Sequence, residues 1–380
     1  MNYDGKVFLM IKDLIANDNL DGIIITDEYN MEYLSGFKGR TGCLLYIFDK
    51  QYLLTDSRYT EQASIEAKCF ECVDIAKLGY SKTLMNLIDK AVTEIKSKEV
   101  LNETKHTKSS DKILIGFENE HISYSFYKQF VDTFGDKILL VQLDSKVNRF
   151  RSIKTEEEIE NIAIAEKIGD EAFLHIINFI EEGMTERQIA LELEYFMKNN
   201  GATALSFDTI VASGKNSSMP HAIPTDKVIE HGDFITMDFG CIYNGYCSDM
   251  TRTVIMGDEP TSKQLEVYSV VLEAQREALK MIKPGMVCSD IDKVARDIIK
   301  NAGYGDYFGH GLGHSVGLFI HEEPRLSPKC NDILQENMLM TVEPGIYLPG
   351  EFGVRIEDLI VVTKDGYRNL TSSPKPLIML

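Results

Sequence analysis

The chain has 380 residues, 44% of them hydrophobic and 26% charged, with a formal net charge of −19. That length exceeds what one core usually serves and implies two domains, and the balance excludes disordered and fibrous classes. The acidic excess, 59 Asp and Glu against 40 Lys and Arg, argues against a nucleic-acid partner, because phosphate binding needs a basic face.

Residues 1–6 show no basic stretch leading into an apolar core, so no signal peptide is read there. The apolar run ending at Ile25 is far too short to span a bilayer. The expectation is a cytoplasmic protein with no membrane partner. The seven cysteines, odd in number and scattered, read as reduced thiols and not as a disulfide framework. Cys69 and Cys72 form a lone C-x-x-C, expected to be two semi-buried thiols.

Val7, Met10, Ile11, Leu14 and Ile15 follow helical spacing, and residues 22–26 read as a buried strand. A helix near 30–34 and strands over 43–48 and 51–55 follow, with Asp49-Lys50 as the hairpin turn. Residues 58–67 and 80–97 are predicted helical, and 113–117 a strand. This α/β domain is assigned to residues 1–148, and a second domain to 149–380. Thr155 before Glu156-Glu157-Glu158 marks a capped helix start in that second domain.

The second domain repeats itself at an offset of 102. Gly183/Gly285, Met184/Met286, Ile189/Ile291, Lys198/Lys300, Asn199/Asn301 and Gly201/Gly303 match without a gap. Each copy reads as a helix, a Gly-Met turn, a second helix and a terminating Gly. Two such halves imply a pseudo-symmetric cleft, a common place for a site.

The residues for chemistry lie between and after these copies. Asn244-Gly245 is a two-residue hairpin turn. With Tyr243 facing Tyr246, Asp238 faces Thr251 and Asp249 faces Gly240. Asp238 and Asp249 then project from one face as diagonal neighbours, roughly 7–8 Å apart at the backbone. Gly240 is expected to leave room there. Buried together they repel unless a cation neutralises them; taken alone they read as two solvent-facing acids.

Gly309 to Gly317 packs His310 and His314 among four glycines, which predicts an irregular loop or bulged strand. His321-Glu322-Glu323-Pro324 follows. Further on, Glu343 in Thr341-Val342-Glu343-Pro344-Gly345 and Glu357 in Arg355-Ile356-Glu357-Asp358 supply two more acids from neighbouring strands. Arg355 and Glu357 share a face by strand alternation; their bland reading is a surface ion pair. Four carboxylates and one imidazole suit Mn²⁺, Co²⁺, Fe²⁺ or Zn²⁺. Two adjacent ions can activate water and polarise a carbonyl.

These motifs, in this order, resemble the creatinase/methionine-aminopeptidase superfamily over about 152–374. The stretch Leu54-Thr55-Asp56-Ser57-Arg58-Tyr59 resembles the smaller domain of the Xaa-Pro aminopeptidase and prolidase branch. The resemblance implies an α/β (α+β) chain: a creatinase-type N-terminal domain and a C-terminal "pita-bread" domain of duplicated halves. It implies two divalent metal ions per subunit, Mn foremost, with Asp238 on one, Asp249 and Glu357 bridging, and His314 and Glu343 completing the other. Glu343 would also shuttle a proton. His221, in Met219-Pro220-His221-Ala222, would support the leaving imino nitrogen. His310 and His321 would shape the proline pocket and hold the tetrahedral intermediate, and Arg355 would position substrate or order the site. The implied activity is cleavage before proline in short peptides, as an Xaa-Pro aminopeptidase or an Xaa-Pro dipeptidase, in a homodimer. A creatinase-like amidinohydrolase and a non-catalytic binding protein are the alternatives.

Overall fold

The computed structural model describes residues 3–102 and 112–380; Met1 and Asn2, part of the N-terminal stretch read above, lie outside them. The chain divides into two compact units, Met1–Phe150 and Arg151–Leu380.

The first unit runs α1 (Tyr3–Asn17), β1 (Gly22–Ile25), α2 (Glu28–Ser35), β2 (Cys43–Ile47), β3 (Lys50–Thr55) and α3 (Thr60–Glu66). It continues with β4 (Glu71–Asp74), α4 (Gly79–Asn102), β5 (Ile113–Phe117), α5 (Tyr124–Phe134) and β6 (Ile138–Gln142). The strands form one sheet of order β4-β3-β2-β1-β5-β6. Strand β1 is central, antiparallel to β2 and parallel to β5. Ile23, Ile24 and Ile25 are therefore all buried, which is why the run is continuously apolar instead of alternating. Helix α2 is capped by Asp27, whose side chain accepts from Asn30 N, and ends at Gly36 in the left-handed region.

The β2–β3 turn is shifted by one from the expectation. Ile47 pairs with Lys50, so the turn residues are Phe48 and Asp49, with Phe48 at φ 52. In this register Leu45 pairs with Tyr52, and both are buried. Sequence reading also missed β4, α5 and β6. Strand β4, a sheet edge with an exposed-to-half-buried pattern, carries no clear alternation. No disulfide joins the described cysteines; Cys69 is exposed rather than semi-buried, and Cys72 is half-buried. Among the described residues no helix is long and apolar enough to cross a membrane.

The second unit opens with α6 (Glu156–Ile176), capped by Thr155 and Glu158 in a reciprocal capping box. Then come α7 (Glu186–Asn199), β7 (Ala204–Leu205), β8 (Ile210–Ser213), β9 (Phe234–Phe239), β10 (Cys241–Tyr243), β11 (Tyr246–Cys247) and β12 (Met250–Ile255). The other half has α8 (Ser262–Met281), α9 (Cys288–Asn301), β13 (Gly313–Ser315), β14 (Glu322–Leu326), β15 (Leu339–Val342), β16 (Gly345–Leu348), β17 (Phe352–Arg355), β18 (Asp358–Thr363) and β19 (Gly366–Asn369).

The sequence repeat is a structural one. Helices α7 and α9 start and end 102 residues apart, from 186 to 288 and from 199 to 301. Gly183 and Gly285 turn the chain at φ 93 and φ 88. Gly183 N donates to Ile229 O at 3.0 Å, and Gly285 N to Leu334 O at 2.8 Å. Matching bridges join Thr185 to Val228 and Val287 to Ile333. Each half has its own apolar core, with Phe173, Leu193 and Met237 in one and Val271, Ile291 and Met340 in the other. Sheets β12-β9-β8 and β15-β18-β19 carry the site at their ends.

Candidate metal centre and cavity

The β9–β12 hairpin has the expected register: Tyr243 faces Tyr246 and Asp238 faces Thr251. Gly240 serves a different purpose from the one expected. A Cβ there would lie 2.0 Å from Ser248 O, so the glycine admits the backbone of the opposing strand and does not hold space for an ion. Met250 pairs with Phe239, and Ser248 N donates to Cys241 O on the other side of the glycine. Asp249 thus emerges at a break in the ladder.

The glycine-rich histidine segment is a bulged strand, with a register shift between His314 and Ser315 in the β13–β14 pair. Gly313 lets β13 approach β15: a Cβ there would stand 2.0 Å from Thr341 O. Glu343 directly follows β15 and Glu357 directly precedes β18, whose register pairs Val342 with Asp358. The two glutamates therefore sit at the same end of adjacent strands. Arg355 ends β17 and Glu357 directly precedes β18; only Ile356 separates them, and both line the cavity. Neither is at the surface: both are buried, and Arg355 pairs with Asp238 instead.

All nine sequence-selected residues line one cavity of about 860 Å³: His221, Asp238, Asp249, His310, His314, His321, Glu343, Arg355 and Glu357. Asp249, His314 and Glu357 each offer a donor atom within 4.8 Å of the others. His314 Nε2 lies 3.5 Å from Asp249 Oδ2 and 3.4 Å from Glu343 Oε1. Asp238 is drawn instead to Arg355, whose Nη2 donates to Oδ2 at 2.6 Å.

His314 Nδ1 lies 3.1 Å from Ser315 O. A carbonyl only accepts, so Nδ1 carries the proton. Burial lowers the ring's pKa to about 3, keeping it neutral. Nε2 then presents a bare lone pair to two carboxyl groups, a contact that needs a proton or a cation between them. Asp238 Oδ1 and Glu357 Oε1 are buried without a hydrogen-bond partner. Burial first, then neighbouring carboxylates, raises Asp249 and Glu357 well above the ordinary carboxylate range, and burial lifts Glu343 to about 8. Each observation describes acids arranged for a positive charge, and the residues fit divalent metal ions.

Several supporting residues escaped the sequence reading. Thr251 Oγ1 donates to Glu357 Oε2 at 2.7 Å and accepts from Arg355 Nε at 3.0 Å. Thr341 Oγ1 donates to Glu343 at 3.2 Å and accepts from His314 N at 3.0 Å. Both lie two residues from a selected acid, and alternation from that acid would have found them. Tyr347 left no such trace. Its hydroxyl accepts from Arg355 Nη1 at 2.8 Å and bonds His310 Nε2 at 2.9 Å. His310 Nδ1 contacts Gly311 O at 2.8 Å, so both its ring nitrogens are engaged, and burial lowers its pKa to about 4. His221 is exposed on the cavity wall, and His321 packs edge-on to His314 with ring centroids 4.6 Å apart.

Two pseudo-symmetric halves joined over buried acids and an imidazole define a pita-bread metallohydrolase. Residues 160–364 match Metallopeptidase family M24, and residues 10–153 match the Creatinase/Prolidase N-terminal domain. The chain belongs to Metallopeptidase family M24 and is a metal-dependent peptidase. The uncharacterized peptidase YqhT of Bacillus subtilis is 42% identical over 97% of this chain and 99% of its own length. A protein of Pyrococcus horikoshii named Xaa-Pro dipeptidase is 38% identical over 97% of each chain. Among solved structures, an Xaa-Pro dipeptidase from Bacillus anthracis is 40% identical with a TM-score of 0.85, covering 98% of this chain and 100% of that one. An X-Pro aminopeptidase from Thermotoga maritima is 39% identical with a TM-score of 0.84, covering 98% and 99%.

Proposed function

We propose that this chain hydrolyses the bond before proline in short peptides with proline second, Xaa-Pro dipeptides foremost. The carrying observation is the lone pair of His314 Nε2 facing Asp249 and Glu343 inside the cavity. Asp238, Asp249, His314, Glu343 and Glu357 would hold two divalent ions, manganese first, with cobalt, zinc or iron as substitutes. Four carboxylates against one arginine favour two ions over one. When bound, such ions supply Lewis acidity toward the scissile carbonyl.

The protein's own groups do the rest. Glu343, beside His314 on the cavity wall, would accept and return a proton during turnover. His221, on the open wall, would hold the proline nitrogen's side of the bound substrate and support that nitrogen as it leaves. His310 and His321, with Tyr347 and Ile320, form a wall for the proline ring. Arg355 fixes Asp238 and orders Tyr347. The names of the relatives support the substrate class. The same reading takes 1–148 as a creatinase-type domain and 149–380 as the catalytic one, in a cytoplasmic homodimer.

The deciding assay compares Ala-Pro with Ala-Pro-Ala, each with and without added Mn²⁺. Metal-dependent cleavage, faster on the dipeptide, is expected. No cleavage of either after metal loading would overturn the reading, and preference for the tripeptide would replace dipeptidase by aminopeptidase. Elemental analysis of the purified protein counts the ions, and light scattering gives the oligomeric state.

A further inference from the structure

Glu186 is the first residue of α7, and it is fully buried. Its Oε1 accepts from Ser213 N at 2.7 Å, Ser213 Oγ at 2.9 Å and Asn216 Nδ2 at 3.0 Å. Its Oε2 accepts from Thr225 N at 3.0 Å, Thr225 Oγ1 at 2.6 Å and Asn216 Nδ2 at 3.1 Å. One acceptor-only group therefore satisfies donors at both ends of residues 213–225, the segment that carries His221 to the cavity wall. The backbone adds to the clasp: Glu186 N donates to Lys227 O at 3.1 Å and Arg187 N to Thr225 O at 3.0 Å. In mid-segment, Gly353 N donates to Ser217 Oγ at 2.9 Å and Arg355 Nη1 reaches Pro220 O at 3.4 Å.

The duplicated half provides an internal control. Cys288 stands 102 residues later, as the first residue of α9. Cys288 N donates to Asp332 O at 2.9 Å and Ser289 N to Cys330 O at 3.0 Å, repeating the backbone bonds of Glu186 and Arg187. The junction of helix and returning chain thus forms without a carboxylate at the helix's first residue. The matching segment of the second half also brings a histidine, His321, to the cavity; what is specific to the first half is the carboxylate at the helix start, which ties both ends of the segment carrying His221. A loosely held segment would have to be ordered each time substrate binds, at a cost in affinity.

We propose that Glu186 is a positioning residue that clasps residues 213–225, and through them holds His221 against the substrate, so that it sets substrate affinity. This rests on the Xaa-Pro reading above. In Glu186→Gln the shape is kept, but an NH₂ donor replaces one acceptor facing the same donors.

The test uses the full metal-loaded chain with Ala-Pro as probe, comparing wild type, Glu186→Gln and Thr225→Ala. Glu186→Gln is expected to raise KM about tenfold while kcat falls no more than about threefold, as loss of one charge-assisted contact predicts. Bound metal is expected to stay constant. Amide exchange in peptides spanning 210–227 is expected to quicken, and that around 286–290 to stay as in wild type. Thr225→Ala, at an exposed partner, is expected to move both readouts in the same direction, and it decides the matter if Glu186→Gln fails to fold. Unchanged exchange in 210–227, unchanged KM, or a loss confined to kcat would each overturn the proposal. Failure of the functional reading is separate: wild type would then leave Ala-Pro uncleaved, removing the link to affinity, while exchange would still judge the clasp itself.

Discussion

Arg355 Nη2 donates to Asp238 Oδ2 at 2.6 Å, with both side chains largely withdrawn from water. The same guanidinium bonds Thr251 and Tyr347, so one planar cation spans both halves of the cavity. Lysine has one ammonium and no fork to meet these partners. Arg355→Lys is expected to lower kcat at least about a hundredfold with KM changed less. Arg355→Met is expected to destabilise the metal-free protein by about 3 kcal/mol, since it strands a buried carboxylate. Steady-state kinetics and urea unfolding check the two effects.

Asp249→Asn should separate function from stability. Asp249 is buried among Glu357, Asp238 and Glu343, and their charges oppose its ionisation. The amide keeps the volume and removes one repelling charge. Turnover is expected to vanish and metal affinity to fall, yet the metal-free variant should melt higher than metal-free wild type near neutral pH, by about 1–2 kcal/mol. A lower melting temperature would contradict the repulsion inferred here.

The acids also set a pH dependence. Burial raises the pKa of Glu343 to about 8 in the folded protein, and Asp249 and Glu357 shift the same way. In the unfolded chain a glutamate titrates near roughly 4.3. The folded form holds the extra protons, so this contribution to stability is complete below about pH 4 and is lost as pH rises toward about 8. Chelated protein should therefore weaken across that window. Stabilisation by added Mn²⁺ should grow over the same range, because ions displace those protons. Thermal melts at stepped pH, with chelator or with metal, measure both trends.

Gly240→Ala tests the close approach in the β9–β12 hairpin. The new methyl would stand 2.0 Å from Ser248 O, and backbone cannot yield as a side-chain tip can. A loss of about 3 kcal/mol or more is expected, together with weakened metal binding as Asp249 shifts. Circular dichroism melts and metal titration would show it.

The parts legible in the sequence were those with a local code. Asn244-Gly245 set the hairpin register, and with it the pairing of Asp238 with Thr251. The repeat located both helix pairs, and the glycines around His314 marked a bulge. Contacts made across the fold carried no such code. Tyr347 lies eight residues before Arg355, and only the β16–β17 hairpin brings the two together. Glu186 carries no mark in the sequence, because its partners lie 27 to 39 residues away. Gly240 was noticed for the right position and the wrong reason: its neighbour is a carbonyl oxygen.

The four acids and the imidazole are divided between the halves. Asp238 and Asp249 belong to the hairpin of the first half, while His314, Glu343 and Glu357 belong to strands of the second. Under the proposed ligand set, neither duplicate would own a complete coordination set. Occupancy of the centre would therefore fasten the seam between the two halves, and a catalytic ion would also be a structural rivet. Withdrawing it should soften that seam before either apolar core gives way.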